Sequence, residues 1–311
     1  MYPSIKFAVI LPKLSRMVFL ILSILSSTSI YILFKLISHL KIHTFSAIVV
    51  NYFTACLAGF FLCNSQQLSF HIFSRPWFPI SIVIGVLFIL MFYTIARTTQ
   101  EAGISVTTVA VKMSVVFPIA FSIWYDAFDV LTTLKLSGIV LAVLSVFLVV
   151  FQKGKSRITA KAAILPLILF IGMGMVDTLV KYSQSTYIDI GLAPLFSTAI
   201  FASALLTGIV SLLFNHRMVQ LKSVSTWLMG IALGIVNFGS TYFLILALNH
   251  VDISTGKQAS GSVVFGINNL AIVALSVLAG YLLFKERPSR MNWLGIALSG
   301  VAIVLLMRSQ F

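Results

Sequence analysis

The stretch TTVAVKMSVVFPIAF, Thr107 to Phe121, carries one charge, Lys112, among residues that are otherwise apolar or weakly polar. What that lysine means depends on the surrounding chain. The sequence has 311 residues, is 59% hydrophobic and 9% charged, and has a mean hydropathy of +1.08. A soluble domain carries roughly 25% charged residues, so this composition belongs to an integral membrane protein. A bilayer-spanning helix takes about 20 mostly apolar residues, and ten such stretches can be traced. They run at about 17–38, 44–63, 77–96, 104–124, 134–151, 162–182, 191–213, 225–247, 254–283 and 290–307, with ends uncertain by a few residues. The expected fold class is therefore all-α integral membrane with ten transmembrane helices. The ninth stretch is long enough to require tilt, a kink or an interfacial part. Only short links join the stretches, which excludes most water-soluble enzyme classes.

The opening MYPSIKFAVILPKLSR lacks the long apolar core and small-residue cleavage site of a signal peptide. Cys56 and Cys63 read as small packing residues within the second span, and Asn-x-Ser/Thr is absent from the sequence. The net charge of +14 does not point to nucleic acid, because it is spread over short links with no soluble surface to build a groove. Sorted by side, six link or flank cations accompany the termini and eleven lie opposite. That count favours termini outside, whereas the three cations flanking the first span argue the reverse, so orientation stays open.

The two halves of the chain resemble each other. LSGIVLAVLSVFLVVF in span five and WLGIALSGVAIVLLMR in span ten align Gly138 with Gly295, Ile139 with Ile296 and Leu141 with Leu298. Asp129 then falls opposite Glu286, each in an acidic link. YILFKLISH mirrors DTLVKYSQS, placing Lys35 opposite Lys181, and spans four and nine both open with Ile-Ser. Five spans per half is odd, so the second half must enter the membrane from the other side. The expected arrangement is an inverted repeat, residues 1–153 against 154–311.

With ten spans in two halves of five, and with LLFKERPSRMNWLGIALSGVAIVLL at Leu282–Leu306, the chain resembles the EamA-like branch of the drug/metabolite transporter superfamily. The first half departs from the pattern, with Asp129 where the family usually has Glu. The resemblance implies a secondary transporter working by alternating access, its two inverted five-helix repeats arranged around a central cavity lined by spans one, three, four, six, eight and nine, with five and ten peripheral. It also implies export, and a prokaryotic cytoplasmic (inner) membrane fits. Sugar-phosphate or nucleotide-sugar exchangers belong to the same superfamily. Their sites need dense Lys/Arg contacts to phosphate, and no arginine lies within a span here.

Five ionisable residues fall inside spans: Lys35, Lys112, Lys181, Lys257 and Asp177. Each costs about 2.5–3.5 kcal/mol at the bilayer centre, so each requires a reason. Lys35 and Lys181, near span ends, can snorkel or gate opposite ends of a pathway. Asp177 lies four residues before Lys181 and can pair with it, or it can act as the proton-coupling carboxylate. Lys257 sits among small residues that allow close helix packing, and the partial likeness of ISTGKQ to a P-loop lacks the required glycine spacing. Lys112 is ~12 Å deep by helical rise, too far to snorkel, and must face a wet interior or be buried neutral or paired. Pro118 weakens the helix near it. Polar candidates for the same cavity are Tyr31, Asn51 and Tyr93 in the first half, and Asn237, Tyr242, Gln258, Asn268 and Asn269 in the second. Interhelical hydrogen bonding is the competing role for each. His39 and His43 are spaced i,i+4 without an acid nearby, a poor metal site.

The expected substrate bears an anionic group, such as an amino acid or other carboxylate, because interior lysines outnumber the one acid. The expected partners are that small-molecule metabolite, the lipid bilayer and protons as coupling ion; no cofactor, metal or catalytic residue is implied. The chain could work as monomer or homodimer. A membrane enzyme or scaffold remains the contrasting class; no Ser-His-Asp set or metal-ligand spacing supports an enzyme.

Overall fold

A computed structural model describes residues 16–63, 70–125, 131–150, 160–188, 192–215, 218–249 and 261–308. Among them the regular structure is helical. The helices are α1 (Arg16–His39), α2 (Thr44–Leu62), α3 (Trp77–Glu101), α4 (Ile104–Met113), α5 (Val116–Tyr125) and α6 (Thr133–Val150). They continue as α7 (Ala160–Tyr187), α8 (Ala193–Phe214), α9 (Val224–Asn249), α10 (Gly261–Phe284) and α11 (Arg290–Arg308). Counting α4 and α5 as one span, nine described helices are long and apolar enough to cross a bilayer, and Thr133–Val149 is a shorter apolar tenth. The architecture is that of a multi-pass membrane protein. Exposed Leu, Phe, Ile and Val side chains coat its outer faces, as lipid contact requires.

The turn between the first two spans is tight. α1 ends in a Schellman motif with Lys41 left-handed at φ 56°, Ile42 N–H donating to Ile37 O and Lys41 N–H to Ser38 O. His43 then caps α2, its Nδ1 accepting from Ser46 N–H at 3.3 Å. His39 stacks on Phe284 with ring centroids 5.6 Å apart, joining the ends of α1 and α10.

Within hydrocarbon there is no water to drive helices together, so their backbones must approach closely enough for dispersion contact. Glycines mark where this happens. A Cβ at Gly85 would lie 2.5 Å from Ser203 Cβ and 2.6 Å from Ile200 O, which fixes α3 against α8. A Cβ at Gly234 would lie 2.5 Å from Thr54 Cβ and 2.8 Å from Asn51 O, fixing α9 against α2. At the α2–α8 crossing, Gly59 faces Thr198 and Gly208 faces Val49, with virtual contacts of 2.5 and 2.7 Å. α6 and α11 form the most extensive helix pair, Gly138 against Leu306 and Gly295 against Val149 and the Ser145 carbonyl. α4 is the hub, contacting α1, α3, α6, α7, α10 and α11. The α4–α5 span is correspondingly the most enclosed, with 67% of its apolar window buried against 50% or less for every other described span.

Gly85→Val and Gly234→Val should each lower the melting temperature of the purified protein by a shift equivalent to at least about 1–3 kcal/mol, because backbone must move to admit the side chain. Phe61→Ala, on a lipid-exposed surface, should leave it nearly unchanged.

Candidate functional site

Span four is broken where the lysine sits. Pro118 has no N–H to offer the Ser114 carbonyl four residues back. That carbonyl takes Phe117 N–H at 3.0 Å instead, and the helix is interrupted between Met113 and Val116. The sequence places the disturbance at Pro118; it lands one turn earlier because the missing bond belongs to residue i−4. Lys112 thereby occupies the last turn of a half-helix, where unpaired carbonyls favour a cation. Thr107, Thr108, Val109, Ala110 and Met113 around it are buried, yet Lys112 itself keeps accessible surface. Its ammonium belongs to the span most enclosed by its neighbours. No hydrogen bond or ion pair within 4 Å reaches that ammonium among the described residues.

Asp177, from α7, faces the same break. The Ser114 hydroxyl lies 2.6 Å from Val111 O and 3.0 Å from Asp177 Oδ2. It has one proton, so it can donate to one of them at a time. With that proton on Val111, the Ser114 oxygen is left to accept from a protonated Asp177; with a carboxylate there, the proton turns to it. Tyr31 of α1, which is buried, and Lys112 both lie within electrostatic reach of Asp177. The structure thus gathers Lys112, Ser114, Asp177 and Tyr31 from α1, α7 and the interrupted span.

Lys181 does share the α7 face with Asp177, but the two take different partners. Ser114 and Pro118 are also four residues apart across the gap, so Asp177 meets the Ser114 hydroxyl and Lys181 Nζ donates to Pro118 O at 3.4 Å. Lys35 lies near one end of the bundle. Its Nζ is 3.1 Å from Glu286 Oε1 and donates to Thr99 O at 3.2 Å. Asn237 and Asn51 join their amides at 3.1 Å across α9 and α2, the interhelical role open to both. Asn268 is buried, with no partner for Oδ1 among the described residues. Tyr93 points to the exposed flank of α3, edge-on to Phe45 at 5.7 Å, and Tyr242 stacks on Phe238. Neither joins the cluster. Lys257, Gln258 and Asp129 lie outside the described residues.

Two contributors are not among the sequence-stretch candidates. Ser114 carried a readable signal, a hydroxyl residue four positions before a proline inside a span. Glu286 reads only as a link residue, because its partners, the α4 N-terminus and Lys35, are distant in the chain.

No protein-family model matches the chain. An uncharacterized protein of Haemophilus influenzae is 29% identical over 296 residues, covering 92% of this chain and 96% of that protein. A protein of known crystal structure is similar at a TM-score of 0.53 with 16% identity, over 92% of this chain and 98% of the other. That likeness is one of fold.

In a background with Cys56 and Cys63 replaced by serine, a cysteine at position 112 should react readily with a small water-soluble thiol reagent. A cysteine at Val109, buried on the same half-helix, should stay unreactive.

Proposed function

We propose that this chain is a secondary carrier of the EamA-like branch of the drug/metabolite transporter superfamily, exporting a small metabolite with an anionic group across a prokaryotic cytoplasmic membrane. The observation that carries the reading is Lys112, a partly buried lysine at a helix break in the most enclosed span, with no ion-pair partner among the described residues. Interrupted helices at membrane depth occur where backbone is buried in protein or lines a cavity, and they are characteristic of transporters.

Alternating access needs two halves able to rock about the site, and the glycine contacts support such halves. The chain offset that carries Gly85 onto Gly234 also carries Ile200 back to Asn51 and Ser203 back to Thr54. The α3–α8 and α9–α2 crossings are therefore one contact made twice. The same offset exchanges Gly59–Thr198 with Gly208–Val49. A second offset, eight residues longer, exchanges Gly138–Leu306 with Gly295–Val149, in line with an insertion within the ninth span. Helix pairing follows the same rule: α1 on α9 answers α7 on α3, and α4 on α6 answers α10 on α11. With five spans per half, such an exchange relates halves of opposite membrane orientation.

In this reading Lys112 binds the anionic group of a carboxylate or amino acid, and Tyr31 lines the same space. Asp177 carries the coupling proton, because its partner Ser114 can accept from the acid or donate to the carboxylate without moving.

Uptake into proteoliposomes, screened over amino acids, organic acids and sugar phosphates with and without a pH gradient, tests this. A carboxylate hit should lose about 10- to 100-fold in apparent affinity in Lys112→Ala, the worth of one charge-assisted hydrogen bond. Asp177→Asn should abolish the response to the pH gradient. Carboxylate uptake untouched by Lys112→Ala would overturn the anion assignment.

A further inference from the structure

At one end of the bundle, the Glu286 carboxylate is bound as a small anion would be. Both of its oxygens accept from Ile104 N–H, the first residue of α4, at 3.1 and 3.0 Å, and Lys35 Nζ lies 3.1 Å away. Its seat is shaped for it. A Cβ at Gly103, whose φ is 101°, would fall 3.0 Å from the carboxylate, and one at Gly280 would fall 2.7 Å away. Both positions are glycine. The helix N-terminus favours negative charge through its unpaired N–H groups.

The surroundings point to a ligand beyond Glu286. The group sits in the wall of a cavity of about 290 Å³ that also takes in Lys35, Ser105, Arg287 and Asn292. Ser105 is buried, 4% exposed, and its hydroxyl has no hydrogen-bond partner among the described residues. The same Cβ position on Gly280 that meets Glu286 lies 3.6 Å from Ser105 Oγ, so the idle donor is beside the carboxylate. The other acid of this cavity, Glu101, is already paired with Arg97. With Glu286 withdrawn, the cavity would hold Lys35 and Arg287 with no free acid to balance them.

The geometry points to an anion-binding site formed by Ile104 N–H, Lys35 and the Ser105 hydroxyl, plugged by Glu286 and opened to a carboxylate that displaces it. Glu286 hangs on the short link between α10 and α11, so its displacement removes the link's contacts to Lys35 of α1 and to the α4 N-terminus. As an anion site this stands by itself. As the port through which substrate enters or leaves, it rests on the carrier reading.

The test uses Ser105→Cys in the background lacking Cys56 and Cys63, in membranes, with two thiol reagents of like size. One is the anionic sulfonatoethyl methanethiosulfonate, the other its cationic trimethylammonium counterpart. Glu286→Ala should raise the rate with the anionic reagent about tenfold more than with the cationic one, as a cleft of one charge sign does. Adding Lys35→Met should erase that preference. Glu286→Gln keeps an oxygen for Ile104 N–H and so guards against loss of fold; it should show the same preference more weakly. Unchanged rates in both Glu286 variants, or an equal gain for both reagents, would overturn the site. The rates are read without transport, so this result and the uptake result can fail separately.

Discussion

Everything in this structure depends on how closely helices can approach in a medium that gives them no hydrophobic reason to do so. Lipid tails are as apolar as leucine, so association rests on dispersion contacts between surfaces that fit. At the α3–α8 and α9–α2 crossings the fit is so close that a single methyl group on Gly85 or Gly234 would meet backbone. These contacts set the positions of the outer spans, and the outer spans enclose α4. Because α4 is held on all sides, an imperfection in it is tolerated, and the imperfection is where the polar chemistry collects.

Span four combines three features that are each unfavourable alone. A proline removes a backbone bond, a serine leaves the helix pattern, and a lysine lies at membrane depth. Together they offset one another. The broken turn supplies carbonyls for cations, the serine hydroxyl reaches Asp177, and the Pro118 carbonyl receives Lys181. An ionisable group at this depth costs about 2.5–3.5 kcal/mol unless it meets water or a partner. In the carrier reading Lys112, partly buried in the most enclosed span, meets the former. The end of the bundle uses the same physics with opposite sign, a helix N-terminus satisfied by a carboxylate.

Much of this was legible in the sequence, and the misses have physical causes. Apolar runs marked the spans because hydrocarbon thickness fixes their length, and the α7 charges were found because charge is conspicuous among apolar residues. The i,i+4 spacing of Asp177 and Lys181 correctly put them on one face; it could not reveal that the broken span would offer each a partner. Tyr93 and Asn237 looked alike as polar residues in spans. Which one turns outward and which meets Asn51 depends on helix rotation, and the hydrophobic pattern constrains that weakly when both lipid and core are apolar. The alignment of Gly138 with Gly295 was visible, but the reciprocity of Gly85 and Gly234 was not, because a glycine in an apolar run carries no mark of what it touches. Lys257 lies outside the described residues and adds nothing to the account.

The central claim is that two halves rock about Lys112, opening one end of the bundle as the other closes. Distances between spin labels test it most directly, with one pair at Leu40 and Arg290 at the Glu286 end and a second at Met17 and Ser185 at the other. All four side chains are exposed. The account predicts a long and a short distance at each end, with Glu286→Ala lengthening the first pair's average while shortening the second's. A single, unresponsive distance at both ends would contradict it.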